Sequence, residues 1–394
     1  MAKEVALTET QKEIFDKISK NDVDGLKAAL SQHKTTINFV DENETTPLQH
    51  ACYKGNKEAV QMLLDMGAEV TLSKHNGNYT CLHFAALSGK PEVCLQVLEA
   101  GIDPNVLNVV NRTAAQMAAF VNNHACVATI NNFIPKSNLE YFTTVQTGQT
   151  ESILPPEILE KFHKFVIEIT LHPVRVALNL QKHSLLKYLP KARVALQKMT
   201  ELEMKKSDAN ELMALKYHYL GWIVGELIKS EEHIKSRKDS EESKSNFLEL
   251  FIKRALKLDK TGKQDYIEWT IKDCIREFPY RETAIFRQII AMFDRKDAEP
   301  AESILRTAIN GQRGFINEIV NCSTCGEEKP GKKCSKCKEV QYCDRECQRL
   351  HWFVHKKMCA RPISTSNSNS SAKTQLNQQE ISEEVSMHLS SLQV

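Results

Sequence analysis

Four short pairs of metal-binding side chains lie near the C-terminus, and this feature limits what the chain can fold into more than any other. The pairs are Cys322 with Cys325, Cys334 with Cys337, Cys343 with Cys347, and His355 with Cys359. Thiolate and imidazole are ligands that Zn2+ prefers, and two ligands this close in sequence close a tight turn on one metal. Eight ligands satisfy two tetrahedral zinc ions. The sequence therefore predicts two zinc ions in this segment.

Disulfide bonds are the alternative use for these cysteines. The residues Met1–Glu4 contain no apolar signal segment. We therefore expect a reducing, cytoplasmic environment, in which disulfides are rare and zinc is favoured. The other cysteines lack metal-ligand spacing, and we expect them to be buried as small apolar side chains; they are Cys52, Cys81, Cys94, Cys126 and Cys274.

The order of the ligands, with Tyr342, Gln348 and Trp352 among them, resembles the MYND zinc finger. The resemblance implies a cross-braced arrangement of the two metal sites. One zinc would be held by Cys322, Cys325, Cys343 and Cys347, and the other by Cys334, Cys337, His355 and Cys359. Four protein ligands leave no open position for water, so both zinc ions would be structural. His351 is not expected to be a ligand, because only His355 has a matching partner in Cys359.

The same resemblance implies that the finger binds peptides. In related fingers an extended Pro-Leu-type peptide adds to a short edge strand, and a Trp packs against its proline. We therefore expect a Pro-rich peptide partner, bound by Val340, Tyr342, Gln348 and Trp352. The alternative is that Trp352 only covers the zinc-binding turns.

The N-terminal third of the chain contains a repeat. Thr46, Thr80 and Thr113 begin the similar segments TPLQHAC, TCLHFAA and TAAQMAA, which are 34 and 33 residues apart. Gly67 and Gly101 follow at the same period. This pattern resembles the ankyrin repeat, in which a Thr caps a helix pair and a Gly in the left-handed conformation ends it. The resemblance implies a helical solenoid over residues 1–140, including capping helices at its N-terminal end.

The repeats depart from the ankyrin pattern in places. Gln49 replaces the His of the first repeat. The turn that precedes each capping Thr, called the finger turn, contains Gly in the ankyrin pattern, but here it has Glu44 in the first repeat and Asn111 in the third. We therefore expect only the second repeat, with Gly77, to have the glycine of the ankyrin finger turn. Ankyrin stacks bind proteins through a concave face, and the exposed apolar Val109 and Val110 are the favoured contacts. The full set of candidates at the finger tips is Glu42, Asn43, His75, Asn76, Val109 and Val110.

The middle of the chain, residues 152–318, is predicted to be an array or bundle of helices. Apolar residues recur at helical spacing along two segments; they are Ile158, Phe162, Phe165 and Ile169, and then Leu212, Leu215, Tyr219, Trp222 and Ile223. The charged run Lys229–Lys244 is expected to be a mobile connection. The complete prediction is a mainly α-helical protein: an ankyrin solenoid (1–140), this helical domain, a small cross-braced two-zinc finger (319–361) and a disordered tail (362–394). Within the tail, Ile381–Leu392 is expected to form a helix only on binding a partner.

Several function classes are disfavoured by the sequence. The net charge of +2 argues against nucleic-acid binding, and no run of eighteen apolar residues exists that could span a membrane. The segment Asn123–Cys126 resembles an element of SET-domain lysine methyltransferases, some of which contain MYND fingers. In those enzymes the element follows the finger, whereas here it precedes the finger by about 200 residues. We therefore expect no enzyme activity, with a lysine methyltransferase as the least favoured alternative.

The order of ankyrin repeats, helical middle and C-terminal finger resembles the ankyrin repeat and MYND domain-containing protein 2 family. The resemblance implies a non-enzymatic adaptor in the cytoplasm and the cilium. Its implied role is the trafficking of signalling proteins, such as membrane cyclases, to the cilium. The alternative is a nuclear corepressor-type scaffold that reads Pro-rich peptides.

Overall fold

Helices make up most of the protein. The computed structural model describes residues 7–32, 37–72, 75, 77–148, 150–236, 246–259, 262, 264–311 and 320–359. Asn76, the tail 362–394 with its segment Ile381–Leu392, and part of the charged run lie outside these residues. No helix within the described ranges is long and apolar enough to cross a membrane.

The N-terminal helices form four antiparallel pairs, which we call the repeat stack. They are α1 Glu9–Ser19, α2 Val23–Gln32, α3 Pro47–Lys54, α4 Lys57–Asp65, α5 Cys81–Ser88, α6 Pro91–Glu99, α7 Ala114–Phe120 and α8 His124–Asn132. The inner helices α1, α3, α5 and α7 pack side by side, and the outer helices do the same. Buried Ala51, Ala85 and Ala118 allow the inner helices to approach closely.

Each inner helix begins at a threonine that caps it. The Thr46 hydroxyl accepts the Gln49 N–H, and the Gln49 side-chain oxygen accepts the Thr46 N–H in return. His83 occupies the matching place beside Thr80 in the next repeat. Gln49 Nε2 donates to the carbonyl of Tyr79 at 3.0 Å, and His83 Nε2 lies 3.0 Å from the carbonyl of Arg112. Glutamine can therefore take the place of histidine at this position, because either side chain can cap the helix and contact the following repeat.

The turns between the helices require left-handed backbone. Gly67 and Gly101 have φ values of +83° and +98°, as predicted from their spacing. At the finger turns the left-handed residues are Glu44, Asn78 and Asn111, with φ of 58°, 52° and 59°. The expectation that Gly77 fills this place in the second repeat was wrong by one residue. Asparagine tolerates positive φ, so Asn78 can take the place instead.

The helices after the repeat stack form the middle domain. They are α9 Ser137–Thr143, α10 Leu159–Ile167, α11 Pro173–Lys182, α12 Leu189–Lys205, α13 Glu211–Ser236, α14 Phe247–Leu256, α15 Asp265–Arg276, α16 Ala284–Phe293 and α17 Ala301–Asn310. Short 3-10 helices at Pro156–Ile158 and Leu186–Tyr188 precede α10 and α12. The longest helices, α12 and α13, pack along each other. Phe162 and Phe165 of the first predicted apolar face are buried, and so are Leu215 and Tyr219 of the second.

The start of the predicted mobile connection is helical. Helix α13 continues through Lys229 to Ser236, and the remaining residues of the run, 237–244, lie outside the described ranges. Ion pairs Lys229–Glu226 and Lys235–Glu231, both 2.7 Å, link neighbouring turns of the helix. Such pairs stabilise a polar helix, which the composition of the run did not reveal.

The buried apolar residues of the described ranges form two separate hydrophobic cores. One contains buried residues from Ile14 to Ile130 of the repeat stack. The other runs from Ile134 through the middle domain to Cys359, so the middle domain and the cysteine-rich segment share one core. The stack contacts the middle domain where α8 packs on α17, with Asn132 Nδ2 donating to Asn310 Oδ1 at 2.9 Å.

We predict that Gly101→Val lowers the free energy of unfolding by about 1–3 kcal/mol, because a β-branched residue resists positive φ. Steric overlap is not the cause, since a Cβ atom at Gly101 meets no atom within 4 Å. Urea unfolding followed by circular dichroism measures the change. The control is Gly221→Ala in α13, where a Cβ meets only Leu196 Cβ at 3.5 Å and stability should be kept or raised. A neutral Gly101→Val variant would contradict the assigned turn.

Candidate metal centre

The cysteine-rich segment, residues 320–359, is built from short turns and one helix. Strands β1 Lys332–Lys333 and β2 Gln341–Tyr342 pair antiparallel, and α18 Arg345–His355 follows. Asp344 caps α18, with its Oδ1 accepting the Cys347 N–H at 2.8 Å. The cap fixes Cys347 in the first turn of the helix, next to Cys343. The other end of the helix places His355 and Cys359 together, since the Cys359 N–H donates to the His355 carbonyl at 2.9 Å.

The first cluster joins the first and third ligand pairs. One ligand atom from each of Cys322, Cys325, Cys343 and Cys347 lies within 4.8 Å of the others. The sulfur of Cys325 is 3.6 Å from that of Cys343 and 3.8 Å from that of Cys347. A tetrahedral zinc with bonds of about 2.3 Å to sulfur has sulfur–sulfur edges of about 3.8 Å. The spacing therefore fits one zinc ion bound by four thiolates.

The second cluster joins the second and fourth pairs. It consists of Cys334, Cys337, His355 and Cys359. The sulfurs of Cys334 and Cys359 are 3.7 Å apart. His355 Nε2 lies 3.3 Å from Cys334 Sγ and 3.5 Å from Cys337 Sγ. Because zinc–nitrogen bonds are shorter than zinc–sulfur bonds, these distances fit one tetrahedral site, with Nε2 as the histidine ligand.

The local electrostatics favour one thiolate in each cluster. Hydrogen bonds from Cys325 and Cys347, and from backbone N–H groups of the turn, hold the pKa of Cys322 well below its usual range. The backbone N–H of Cys337 contributes most to lowering the pKa of Cys334 to about 6. The contact with Cys322 in turn raises the pKa of Cys347. Further thiolates are therefore unfavourable next to the first, and a divalent cation compensates their charge.

His351 lies outside both clusters. Its Nδ1 is 3.1 Å from the hydroxyl oxygen of buried Tyr342, and its ring stacks on His355 at 6.1 Å. Burial lowers the pKa of His351 to about 4, so the ring is neutral. The two clusters use all eight predicted ligands, so that each site has four protein ligands among the residues described. The segment therefore holds two structural zinc ions.

The zinc-binding segment packs against the middle domain through polar contacts as well as through the shared core. Arg175 Nε of α11 lies 3.0 Å from Glu327 Oε2, and the Thr170 hydroxyl donates to the same carboxylate at 3.3 Å. A Cβ at Gly326 would lie 2.9 Å from His172 Cδ2, so this turn touches the histidine ring closely. At the other end, Arg349 of α18 pairs with a glutamate of α14 at 3.3 Å. No motif in the sequence indicates these contacts.

Of the four predicted peptide-binding residues, two lie on helix α18 and two lie in or next to strand β2. Gln348 and Trp352 lie one turn apart on α18, and Trp352 is 44% exposed. The Tyr342 side chain is buried, and the Val340 carbonyl, just before β2, accepts the Cys334 N–H, just after β1, at 3.0 Å. The Gln341 carbonyl already accepts the Ser323 N–H at 2.9 Å. Gln348 and Trp352 thus form an accessible pair, and peptide addition to β2 stays a prediction.

We predict that elemental analysis of the intact protein finds two zinc ions per chain. Cys337→Ser should retain about one after dialysis against a weak chelator, because three ligands bind zinc much less tightly than four. Cys274→Ser is the matched control, since Cys274 is a buried thiol of α15 outside both clusters. Full zinc retention by Cys337→Ser, or a single zinc in the unaltered protein, would contradict the assignment.

Comparison with known proteins agrees with both sets of motifs. Residues 15–108 match ankyrin repeats in three copies, and residues 322–359 match the MYND finger. The chain is similar to Dauer abnormal formation protein 25 of Caenorhabditis elegans, with 29% identity over 362 residues, covering 88% of this chain and 89% of that protein. It is also similar to the E3 ubiquitin-protein ligase hecd-1 of Caenorhabditis elegans, 28% identical over 107 residues, which cover 27% of this chain but 4% of the ligase. The chain is therefore an ankyrin-repeat protein with a C-terminal MYND finger.

Proposed function

We propose that this protein is a non-enzymatic adaptor that works in the trafficking of signalling proteins, such as membrane cyclases, to the cilium. The observation that carries the proposal is the presence of two interaction modules on one structure, an ankyrin stack and a MYND finger. Both modules typically bind proteins. The ciliary and cytoplasmic location rests on the resemblance of the module order to a family with that role.

The chemistry of the zinc sites supports a structural role for the finger. Each site has four protein ligands, whereas a catalytic zinc keeps one position for water or substrate. The segment that resembles a methyltransferase element also has a structural explanation. Asn123 precedes α8 and its Nδ2 donates to the carbonyls of Ala86 and Leu87, at 2.9 and 3.1 Å, while Cys126 is buried in the stack. Asn123 therefore connects neighbouring repeats, and this structural role of the segment supports a non-enzymatic protein.

The exposed Trp352 supports peptide binding by the finger. A flat indole that is nearly half exposed suits the rings of a Pro-rich peptide, which has little conformational entropy to lose on binding. Neighbouring Gln348 can hydrogen-bond the peptide backbone. The ankyrin stack and the finger would then bind two different proteins at once.

We predict that Trp352→Ala removes binding of the zinc-loaded protein to Pro-Leu-type peptides and leaves the fold intact. Trp352 is largely outside the core, so the loss of stability should stay below about 1 kcal/mol. Isothermal titration measures the binding, and zinc content and thermal melting measure the fold. Met358→Ala, a similarly exposed residue beyond α18, is the control and should bind normally. Unfolding of Trp352→Ala would mean that the indole covers the zinc turns instead.

We predict that the tagged protein enters cilia and that removal of the repeat stack, residues 1–132, or of the finger reduces the ciliary amount of a membrane cyclase. Fluorescence imaging of ciliated cells measures both. A nuclear location, with cyclase distribution unchanged on deletion, would favour the corepressor-type scaffold. A point variant that keeps the fold, such as Trp352→Ala, separates the contribution of the finger from general loss of the protein.

A further inference from the structure

The inner helices of the ankyrin stack present an apolar side chain at the same position in every repeat. Each of these residues lies seven positions after the threonine that caps its helix. We call them the inner ladder; they are Phe15, Tyr53, Leu87 and Phe120. Tyr53 is 51% and Phe120 is 72% exposed, while the other two are half-buried. Exposed aromatic residues at such regular positions are unusual for a surface that only faces water.

Ring contacts connect the inner ladder across the first three inner helices. The ring of Phe15 lies 4.9 Å from that of His50 on the next inner helix, and Tyr53 lies 6.3 Å from Phe84 on the helix after that. Helices that pack side by side lie about 8–10 Å apart. Successive ladder residues are therefore about 10 Å apart along the stack, in a row that crosses all four inner helices.

One edge of this row is basic. Lys54, Lys57 and Lys90 lie where the inner helices end and the outer helices begin, and all three are exposed. Within the described ranges none of them has a carboxylate oxygen within 4 Å. Lys90 also spans two repeats, because a Cβ at Gly55 would lie 2.5 Å from Lys90 Cγ. The exposed carboxylates Glu58 and Glu92 lie one and two residues from Lys57 and Lys90 in the sequence, so the three lysines give this edge a small excess of positive charge beside the apolar residues.

The opposite edge of the surface differs in charge. The finger turn of the first repeat carries the exposed carboxylates Glu42 and Glu44. The finger turn of the third repeat carries the exposed apolar residues Val109 and Val110. The third finger turn also carries the exposed Arg112, so the difference in charge between the two edges is greatest at the first repeats. Such a surface selects both the charge of the partner and the direction in which its charged side faces.

The spacing of the inner ladder identifies the shape of the partner. Seven residues of an α-helix span about 10.5 Å, which matches the distance between neighbouring inner helices. We propose that the inner ladder binds an acidic amphipathic helix of a partner protein, with an apolar residue at every seventh position and its acidic side along Lys54, Lys57 and Lys90. This inference rests on the proposed function, because it assumes that the stack binds proteins. An extended peptide, which advances about 10 Å in three residues, is the competing geometry.

Three fluorescent 21-residue peptides test the inference by anisotropy against the intact, zinc-loaded protein. The first has Leu at every seventh position, Glu on one side and Ala elsewhere. In the second, every Glu is Lys; the third is the acidic peptide with a central Pro, which breaks a helix. We expect the acidic peptide to bind and the other two to bind at least about tenfold more weakly. No binding of the acidic peptide, or equal binding of the Lys or Pro peptide, would overturn the inference.

Substitutions then locate the binding surface. Tyr53→Ser and Phe120→Ser should each weaken binding of the acidic peptide by about tenfold or more, as removal of a central aromatic contact does. Trp269→Ser is the matched control, since Trp269 is an aromatic residue of α15 with similar exposure, 53%, outside the stack. The pair Lys54→Glu and Lys90→Glu should reverse the preference in favour of the Lys peptide. Equal effects of the ladder and control substitutions would overturn the inference.

Failure of this inference and failure of the proposed function give different experimental outcomes. Circular dichroism melting confirms that each variant is folded, which the exposure of the substituted side chains favours. If no peptide binds while deletion of residues 1–132 still reduces ciliary cyclase, the inference fails and the adaptor role stands. If the acidic peptide binds while ciliary cyclase is unaffected by the deletion, the inference stands and the trafficking role fails.

Discussion

Zinc ligation by the first cluster fixes the turn through which the finger packs against the middle domain. A segment of about 40 residues buries too little apolar surface to fold by itself, so zinc binding supplies most of its folding free energy. In this protein the same turn also forms part of a larger core. Cys322, Cys325 and Cys347 are buried together with residues of the middle domain, and Glu327, two residues after a ligand, pairs with Arg175 of α11. The metal therefore organises an interface as well as a finger.

This arrangement separates the two binding surfaces of the proposed adaptor. The face of α18 that carries Leu350 is buried, which leaves Trp352 exposed on another face of the same helix. The ankyrin stack has its own core and meets the middle domain at α8 and α17. Because each surface is held by a different core, a ligand on one need not disturb the other. Simultaneous binding of two partners is what an adaptor requires.

The sequence predicted most of the fold and all of the metal ligands, because ligand spacing and helix caps are local features. Thr46 and Gly101 mark a helix start and a turn within a few residues, and these predictions were confirmed. The prediction for Gly77 was wrong by one position, since Asn78 also tolerates positive φ. The pairing of Arg175 with Glu327 could not be predicted, because it joins residues far apart in sequence through the packing of a domain without a recognisable motif.

Hydrogen exchange with and without a zinc chelator tests the central claim that the finger and the middle domain form one zinc-dependent unit. Mass spectrometry of peptides from the intact protein reports the protection of each segment. Removal of zinc should reduce protection in residues 320–359 and also in α11 and α14, which contact the finger, while α3 to α8 remain protected. Loss of protection confined to residues 320–359 would contradict the claim and would show that the finger is an independent module.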